Sequence, residues 1–180
     1  MKDQKNMDIS KLVFLDESGV NTGMTRLYGC ALNGNRVNDY VPDVRFERIS
    51  ILYSVRLDGN VVPLAFKGAL NGNLFKAYIK DCLAPTLKKG DIVIMDNLSS
   101  HKVKGATDPI AEAGATVLYL PPYSPDFNPI ELLWSKVKAY LKKVKVRSSD
   151  KLFDAIADSL DTISLSDISN WFAHDNYSLC

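Results

Sequence analysis

Three features of this 180-residue chain predict an α/β fold: a mixed sheet of three antiparallel-type strands and then two parallel ones, with helices on both faces. Residues 48–66 alternate apolar and mostly polar side chains around an Asp58-Gly59 turn signal, as a hairpin does. "DIVIMDN" (91–97) is apolar on both faces from Ile92 to Met95, as a central parallel strand is. From residue 73 onward, segments of helical and strand character alternate, the pattern of a sheet covered on two sides.

In chain order, "LVFLDES" (12–18) is a short apolar run ending in acid, expected as a buried strand whose polar end emerges at the sheet edge. Residues 19–47, with several glycines and asparagines, read as an irregular insertion in which "NGN" (33–35) offers a hairpin turn. In "RISILYSVRL" (48–57), Ile49, Ile51, Tyr53, Val55 and Leu57 share one face, and "NVVPLAF" returns antiparallel. Phe75, Ile79, Cys82 and Leu83 have helical spacing within 73–84, and Pro85 closes that segment. Asp108-Pro109 reads as an N-cap and first helical residue, with Gly114 as the stop, and "TVLYL" (116–120) is the fifth strand. Ile130, Leu133, Trp134, Val137 and Leu141 mark the apolar stripe of a longer helix, and two more helices are expected around 152–160 and 165–173.

A chain of this length buries roughly 70% of its unfolded surface and folds without staples. Cys30, Cys82 and Cys180 lie far apart and lack C-x-x-C spacing, so a reduced, cytosolic protein is expected, with neither a membrane span nor a signal peptide. The net charge of +1 hides an uneven distribution. Lys136, Lys138, Lys142, Lys143, Lys145 and Arg147 fall between Leu132 and Arg147 without an acid among them. Such a helix face is either plainly solvated or a phosphate contact.

Asp16, Asp96 and Glu131 each fall where a strand ends or a helix begins. If they converge, their mutual repulsion calls for cations, and oxygen ligands without imidazole or thiolate favour Mg²⁺ or Mn²⁺. Two such ions about 3.5–4 Å apart suit chemistry at a phosphodiester. Each residue also has an ordinary reading. Asp16 or its neighbour Glu17 can be a strand-end acid, and Asp96-Asn97 can turn the chain. Asn128-Pro129-Ile130-Glu131 has the shape of a capping box, in which the glutamate bonds back to the Asn128 amide. Asn97 and His101 suit positioning of the loop after the fourth strand better than metal ligation. Ser99, Ser100 and His101 are adjacent, with no cue for a third catalytic partner.

"VFLDESGV", "IVIMDNLSSHK" and "LPPYSPDFNPIELLWSKVK", in that order, resemble the three signature blocks of the DDE transposases of bacterial insertion sequences related to the Tc/mariner superfamily. The 34 residues between Asp96 and Glu131 are similar to the spacing in the branch of that superfamily ending in glutamate. The resemblance runs from about Leu12 to Lys143. It implies a ribonuclease-H-like fold, a Mg²⁺- or Mn²⁺-dependent DNA endonuclease with strand-transfer activity, and a metal-binding triad on Asp16, Asp96 and Glu131. In such a site Pro121, Pro122, Pro125 and Pro129 form a rigid pedestal that aims Glu131.

The corresponding division is an N-terminal tail (1–11), a catalytic domain (12–147) and C-terminal helices packed on that domain (148–180). DNA is the implied partner, with Lys136, Lys138, Lys142 and Lys143 as phosphate contacts and a homo-oligomer as the active complex. The implied location is the bacterial cytoplasm, at the nucleoid when DNA is bound. Members of the family usually carry helix-turn-helix segments ahead of the catalytic domain, whereas about eleven residues precede the first strand here, so that segment is expected upstream. Two rivals share these residues: a truncated regulatory fragment that binds DNA or full-length transposase without catalysis, and a ribonuclease-H-like nuclease acting on hybrids. A phosphoacceptor domain using Asp96 is more distant.

Overall fold

Strand β1 (Leu12–Asn21) is the axis of the sheet. It pairs antiparallel with β2 (Arg48–Arg56) on one side and parallel with β4 (Ile92–Met95) on the other. The computed structural model describes residues 7–41, 46–59, 61–121 and 124–177. Pro122 and Cys180 lie outside them. With β3 (Val61–Lys67) and β5 (Thr116–Tyr119) at the edges, the strand order is β3-β2-β1-β4-β5, and β4 and β5 run parallel. Pro63 sits on edge strand β3, the place where a missing N–H costs least. Gly59, at φ +81°, supplies the left-handed residue of the β2–β3 turn.

Alternation along the strands divides the core in two. Leu12, Phe14, Ile49, Ile51, Tyr53 and Ile94 face α3 (Ile130–Val144), α4 (Ser149–Asp161) and α5 (Leu165–His174). Val13, Leu15, Leu52, Val93 and Met95 face the opposite layer, made by α1 (Gly72–Ala77) and α2 (Asp108–Glu112). The C-terminal helices join the first cluster directly: Phe172 and Tyr177 meet Phe14 edge-on at 5.2 and 5.1 Å between centroids. Among the described residues, no helix is long and apolar enough to cross a membrane.

Several local expectations change. β1 does not end at its acids but runs on to Asn21, because β2 continues to pair with it through Asn21↔Arg48. Among the described residues, the insertion forms no hairpin. "NGN" lies in a 3-10 turn, Leu32–Gly34, with Asn33 left-handed, and no strand flanks it. β2 is buried on both faces rather than one, since helices cover both sides of a central strand, and Ser50 and Ser54 are buried with it. The segment from 73 opens as α1, capped by the Asn71 side chain at Leu74 N–H, but widens into a π-helix over Tyr78–Leu83; Pro85 falls in the 3-10 turn Ala84–Thr86 that follows. Helix α2 starts at Asp108 itself, so Pro109 is its second residue, and Gly114 ends it at φ +76°. Within the tail, Ile9–Lys11 forms a 3-10 turn and Ile9 is buried.

At the end of the sheet away from Asp16, Arg56 closes β2 on a buried ion pair. Its guanidinium reaches both oxygens of Asp91, at 2.5 and 3.2 Å, and the Ser10 carbonyl at 3.3 Å. Asp91 also accepts the Lys88 N–H at 2.7 Å, so β1, β2 and the entry to β4 meet in one network. Breaking such a pair strands a buried charge, at a cost of about 3–5 kcal/mol. Asp91→Asn is expected to lower the urea-unfolding free energy by roughly that amount, whereas Arg56→Met with Asp91→Leu, which removes both charges, should recover most of it.

Candidate active site

The β1–β4 register places Asp16 and Asp96 side by side. The last paired residues are Leu15 and Met95, so each aspartate is the next residue of its own strand line. Beyond that point β1 is paired only with β2, because β4 has ended. Asp16 shares the face of Phe14, toward α3, and is only 7% exposed. Both of its oxygens are held: Oδ1 accepts the Glu17 backbone N–H at 2.8 Å, and Oδ2 accepts the Trp134 indole N–H at 3.1 Å.

Burial, aided by the nearby charges of Glu131 and Asp96, pushes the Asp16 carboxyl up to about 7 against the pull of those two hydrogen bonds. The three sequence-predicted acids therefore come within electrostatic reach of one another. Among the described residues, no three Asp, Glu, His or Cys side chains form a group close enough to hold a metal ion. Glu17 lies on the other side of the strand from Asp16 and is half-buried.

Asp96 is more open, with about a third of its side chain exposed. Its Oδ1 accepts from His101 Nδ1 at 2.7 Å and from the Leu98 N–H at 3.2 Å. The His101 ring is fully buried and stacks on Phe75 of α1, 4.4 Å between centroids and 26° between planes. Its Nε2 is buried without a partner, which favours the tautomer with hydrogen on Nδ1, since an unfilled acceptor costs less than a stranded donor. His101 thus braces the carboxylate through a hydrogen bond. Asn97 is exposed.

Glu131 is in the first turn of α3 and exposed, where the helix N-terminus favours negative charge. The capping box is not formed. The helix starts at Ile130 after Pro129, and no side-chain hydrogen bond closes its first turn, so the glutamate carboxylate is free for another task. The approach to it is fixed by a 3-10 turn at Pro125–Phe127 and by the Tyr177 hydroxyl, which donates to the Phe127 carbonyl at 2.9 Å.

The basic row of α3 separates into two groups. Lys136 is spent within the protein: its ammonium donates to the Thr162 carbonyl at 2.9 Å and to Asp167 at 2.7 Å, in the capping box that starts α5. Its ammonium is thus engaged within the protein. Lys145 occupies the left-handed C-cap of α3 and pairs with Asp39, and Arg147 donates to the Thr22 and Met24 carbonyls at 2.9 Å. Lys138 and Lys142 instead line a groove of about 490 Å³ with Arg26, Leu27 and Tyr28 of the insertion, and Lys143 lines the neighbouring one with Arg26.

Arg26 and Trp134 were missed by sequence reasoning. Trp134 satisfied the apolar stripe so well that its N–H drew no attention, although its i+3 spacing from Glu131 was a usable signal. Arg26 carried no signal, because the folding of the insertion onto α3 is a tertiary event.

A mixed sheet of this order, with acids at the junction of its central strands, defines the ribonuclease-H-like class. Residues 11–153 match the profile of the DDE superfamily endonucleases, and the chain belongs to that family. No curated protein matches it in sequence. Among solved structures, it resembles a pre-cleavage Mos1 transpososome with TM-score 0.75 at 14% identity, covering 98% of this chain and 55% of that one. The catalytic domain of Mos1 mariner transposase gives 0.67 at 13% identity, covering 98% and 81%. A simian T-cell lymphotropic virus intasome gives 0.55 at 13% identity, covering 86% and 48%. Mos1 paired-end complexes have been solved with Mg and with Mn. The chain spans little more than half the length of the first Mos1 transposase chains it matches.

The raised Asp16 pKa gives a pH dependence with a definite sign. Ionisation is easy in the unfolded chain, near 3.8, and hard in the folded one, near 7, so the folded state holds the proton more tightly. The resulting destabilisation is absent below about pH 4 and complete above about pH 7. In metal-free protein, Asp16→Asn is expected to gain stability over the wild type as pH rises through this window, by up to about 4 kcal/mol, read from denaturation curves at pH 4 and pH 8.

Proposed function

We propose that this chain is the catalytic part of a transposase, which cuts DNA at element ends and joins the 3′-hydroxyl to target DNA, with Asp16, Asp96 and Glu131 as its metal-holding triad. The observation that carries the reading is the strand register that sets Asp16 beside Asp96, with Glu131 facing them from α3. The donor set fits a hard divalent cation: three carboxylates, one of them unfavourably placed as an anion until positive charge arrives. Mg²⁺ or Mn²⁺, as two ions, would supply activation of the attacking oxygen and stabilisation of the leaving one.

The chain itself contributes fixed geometry and phosphate contacts. Glu17 N–H and Trp134 hold Asp16; His101 and Leu98 N–H hold Asp96; and the 124–129 turn, tied down by Tyr177, leads to Glu131. Asn97 shapes the start of the loop that returns His101 to Asp96. Lys138, Lys142, Lys143 and Arg26 bind the DNA backbone along the groove beside α3. Sequence-specific recognition of element ends falls to a helix-turn-helix segment encoded upstream, and the active complex holds more than one copy. The C-terminal helices carry few Arg, Lys, Asn or Gln side chains with which to read base edges.

Nicking of supercoiled plasmid in Mg²⁺ tests the triad. Asp16→Asn, Asp96→Asn and Glu131→Gln should each lower the rate by about 100-fold or more with the fold retained, since catalytic metal supplies several kcal/mol of charge stabilisation. Wild-type cleavage by the Glu131→Gln variant would remove that residue from the site.

The salt dependence of DNA affinity tests the basic groove. Replacing Arg26, Lys138, Lys142 and Lys143 by glutamine should flatten the log–log salt slope by up to about 0.9 for each phosphate no longer neutralised. Lys136→Gln should leave that slope unchanged and lower the melting temperature instead, because its partners lie within the protein.

A further inference from the structure

Trp134 presents two readings that differ in which partner the hydrogen bond serves. Buried tryptophan needs an acceptor for its N–H, and Asp16 would then be that acceptor. But leaving an indole N–H unsatisfied costs about 1–3 kcal/mol, and a backbone carbonyl or a hydroxyl satisfies it fully. Burying a carboxylate for the purpose costs several kcal/mol more than it gains. The energetics therefore run the other way: the indole is there for the acid.

We propose that Trp134 is a positioning residue, which locks the orientation of the Asp16 carboxylate and ties it to the helix that carries Glu131. The inference rests on the reading of Asp16 as a metal ligand given above. Each oxygen of Asp16 accepts one N–H, from Glu17 and from Trp134, so the carboxylate cannot turn about its bond to Cβ without breaking both. Each oxygen keeps a further lone pair, and these are left in a fixed direction. The indole is itself immobile: it is 2% exposed and meets the Tyr53 ring at 6.1 Å and 68°. Tyr53 is the cross-strand partner of Asp16 on β2, so acid, indole and phenol form one closed arrangement across β1, β2 and α3.

The consequence is geometric. Glu131 and Trp134 are three residues apart on α3, on neighbouring positions of one helix face. A hydrogen bond from Trp134 to β1 sets the helix against the strand within a turn of the glutamate. The distance between the first and third acids is thereby held by the fold, although their charges repel when no cation is bound. His101 does the corresponding work at Asp96 from the other layer, stacked on Phe75.

The test measures metal binding apart from turnover. Trp134→Phe deletes the N–H and retains an aromatic ring; β-(3-benzothienyl)alanine at 134 keeps the full shape with sulfur in place of N–H, and so controls for packing. Calorimetric titration with Mn²⁺ should show affinity weakened by about 10- to 100-fold in both variants, the range for loss of an outer-shell partner. Nicking at saturating Mn²⁺ should be affected less than the Mn²⁺ concentration giving half-maximal rate. In a Trp171→Phe background, which leaves Trp134 as the one tryptophan, Mg²⁺ should change the fluorescence, and adding Asp16→Asn should abolish the change. Wild-type Mn²⁺ affinity in the benzothienyl variant would overturn the role of Trp134 while leaving the triad standing. Undiminished Mn²⁺ binding by Asp16→Asn would instead overturn the reading of Asp16 on which the inference rests.

Discussion

The parallel pairing of β1 with β4 is the constraint from which the site follows. Four residue pairs, Leu12↔Ile92 to Leu15↔Met95, set the register, and the next residue on each line is an aspartate. A slip by one residue would turn one of the two away from the other and, by the two-residue period of a strand, exchange the apolar sets of both core layers. The packing that buries Phe14 and Ile94 on one side and Leu15 and Met95 on the other thus enforces the alignment of the acids. Stability and chemistry are secured by the same packing here. Asp16 carries a stability cost, since the buried environment opposes its charge.

Around this register the two layers make unequal contributions. The α3 layer provides Glu131 and Trp134, and the α1 layer reaches Asp96 only through His101, leaning on Phe75. Both braces are nitrogen heterocycles held by a second aromatic ring, and both spend an N–H on a carboxylate oxygen. The insertion between β1 and β2 is fastened to α3 by Arg147 at Thr22 and Met24 and by Lys145 at Asp39. This fastening accompanies the basic grooves between the insertion and α3.

Strand identity was legible wherever the apolar pattern was continuous: β2, β3, β4 and β5 lie where the alternation and the Asp58-Gly59 turn put them. The extent of β1 was not, because Glu17, Ser18 and Gly19 have no strand signal of their own and are held by cross-strand bonds to β2. The three acids could be named from the signature blocks, but not what holds them. Their partners are separated from them by 118 residues in the case of Trp134, and pairing at that separation leaves no periodicity to read. Lys136 shows the converse: nothing in its uninterrupted basic run signals a partner, yet its ammonium pairs with Asp167, on a helix two elements later. The π-helix at Tyr78–Leu83 likewise reflects tertiary packing, since Tyr78 donates to the Val62 carbonyl at 2.6 Å across to β3.

The packing of Phe14 against Phe172 and Tyr177 has a consequence for the order in which the molecule is assembled. The first strand completes its core on residues near the other end of the chain, and the same Tyr177 steadies the turn before Glu131. Pairings of such long sequence separation close late, because the loop entropy is given up before the attraction is felt. A ribosome-bound chain that has exposed β1 to β5 has both aspartates and lacks the steadied glutamate. The surroundings of the third acid are therefore complete only once the helix that leads to Tyr177 has docked.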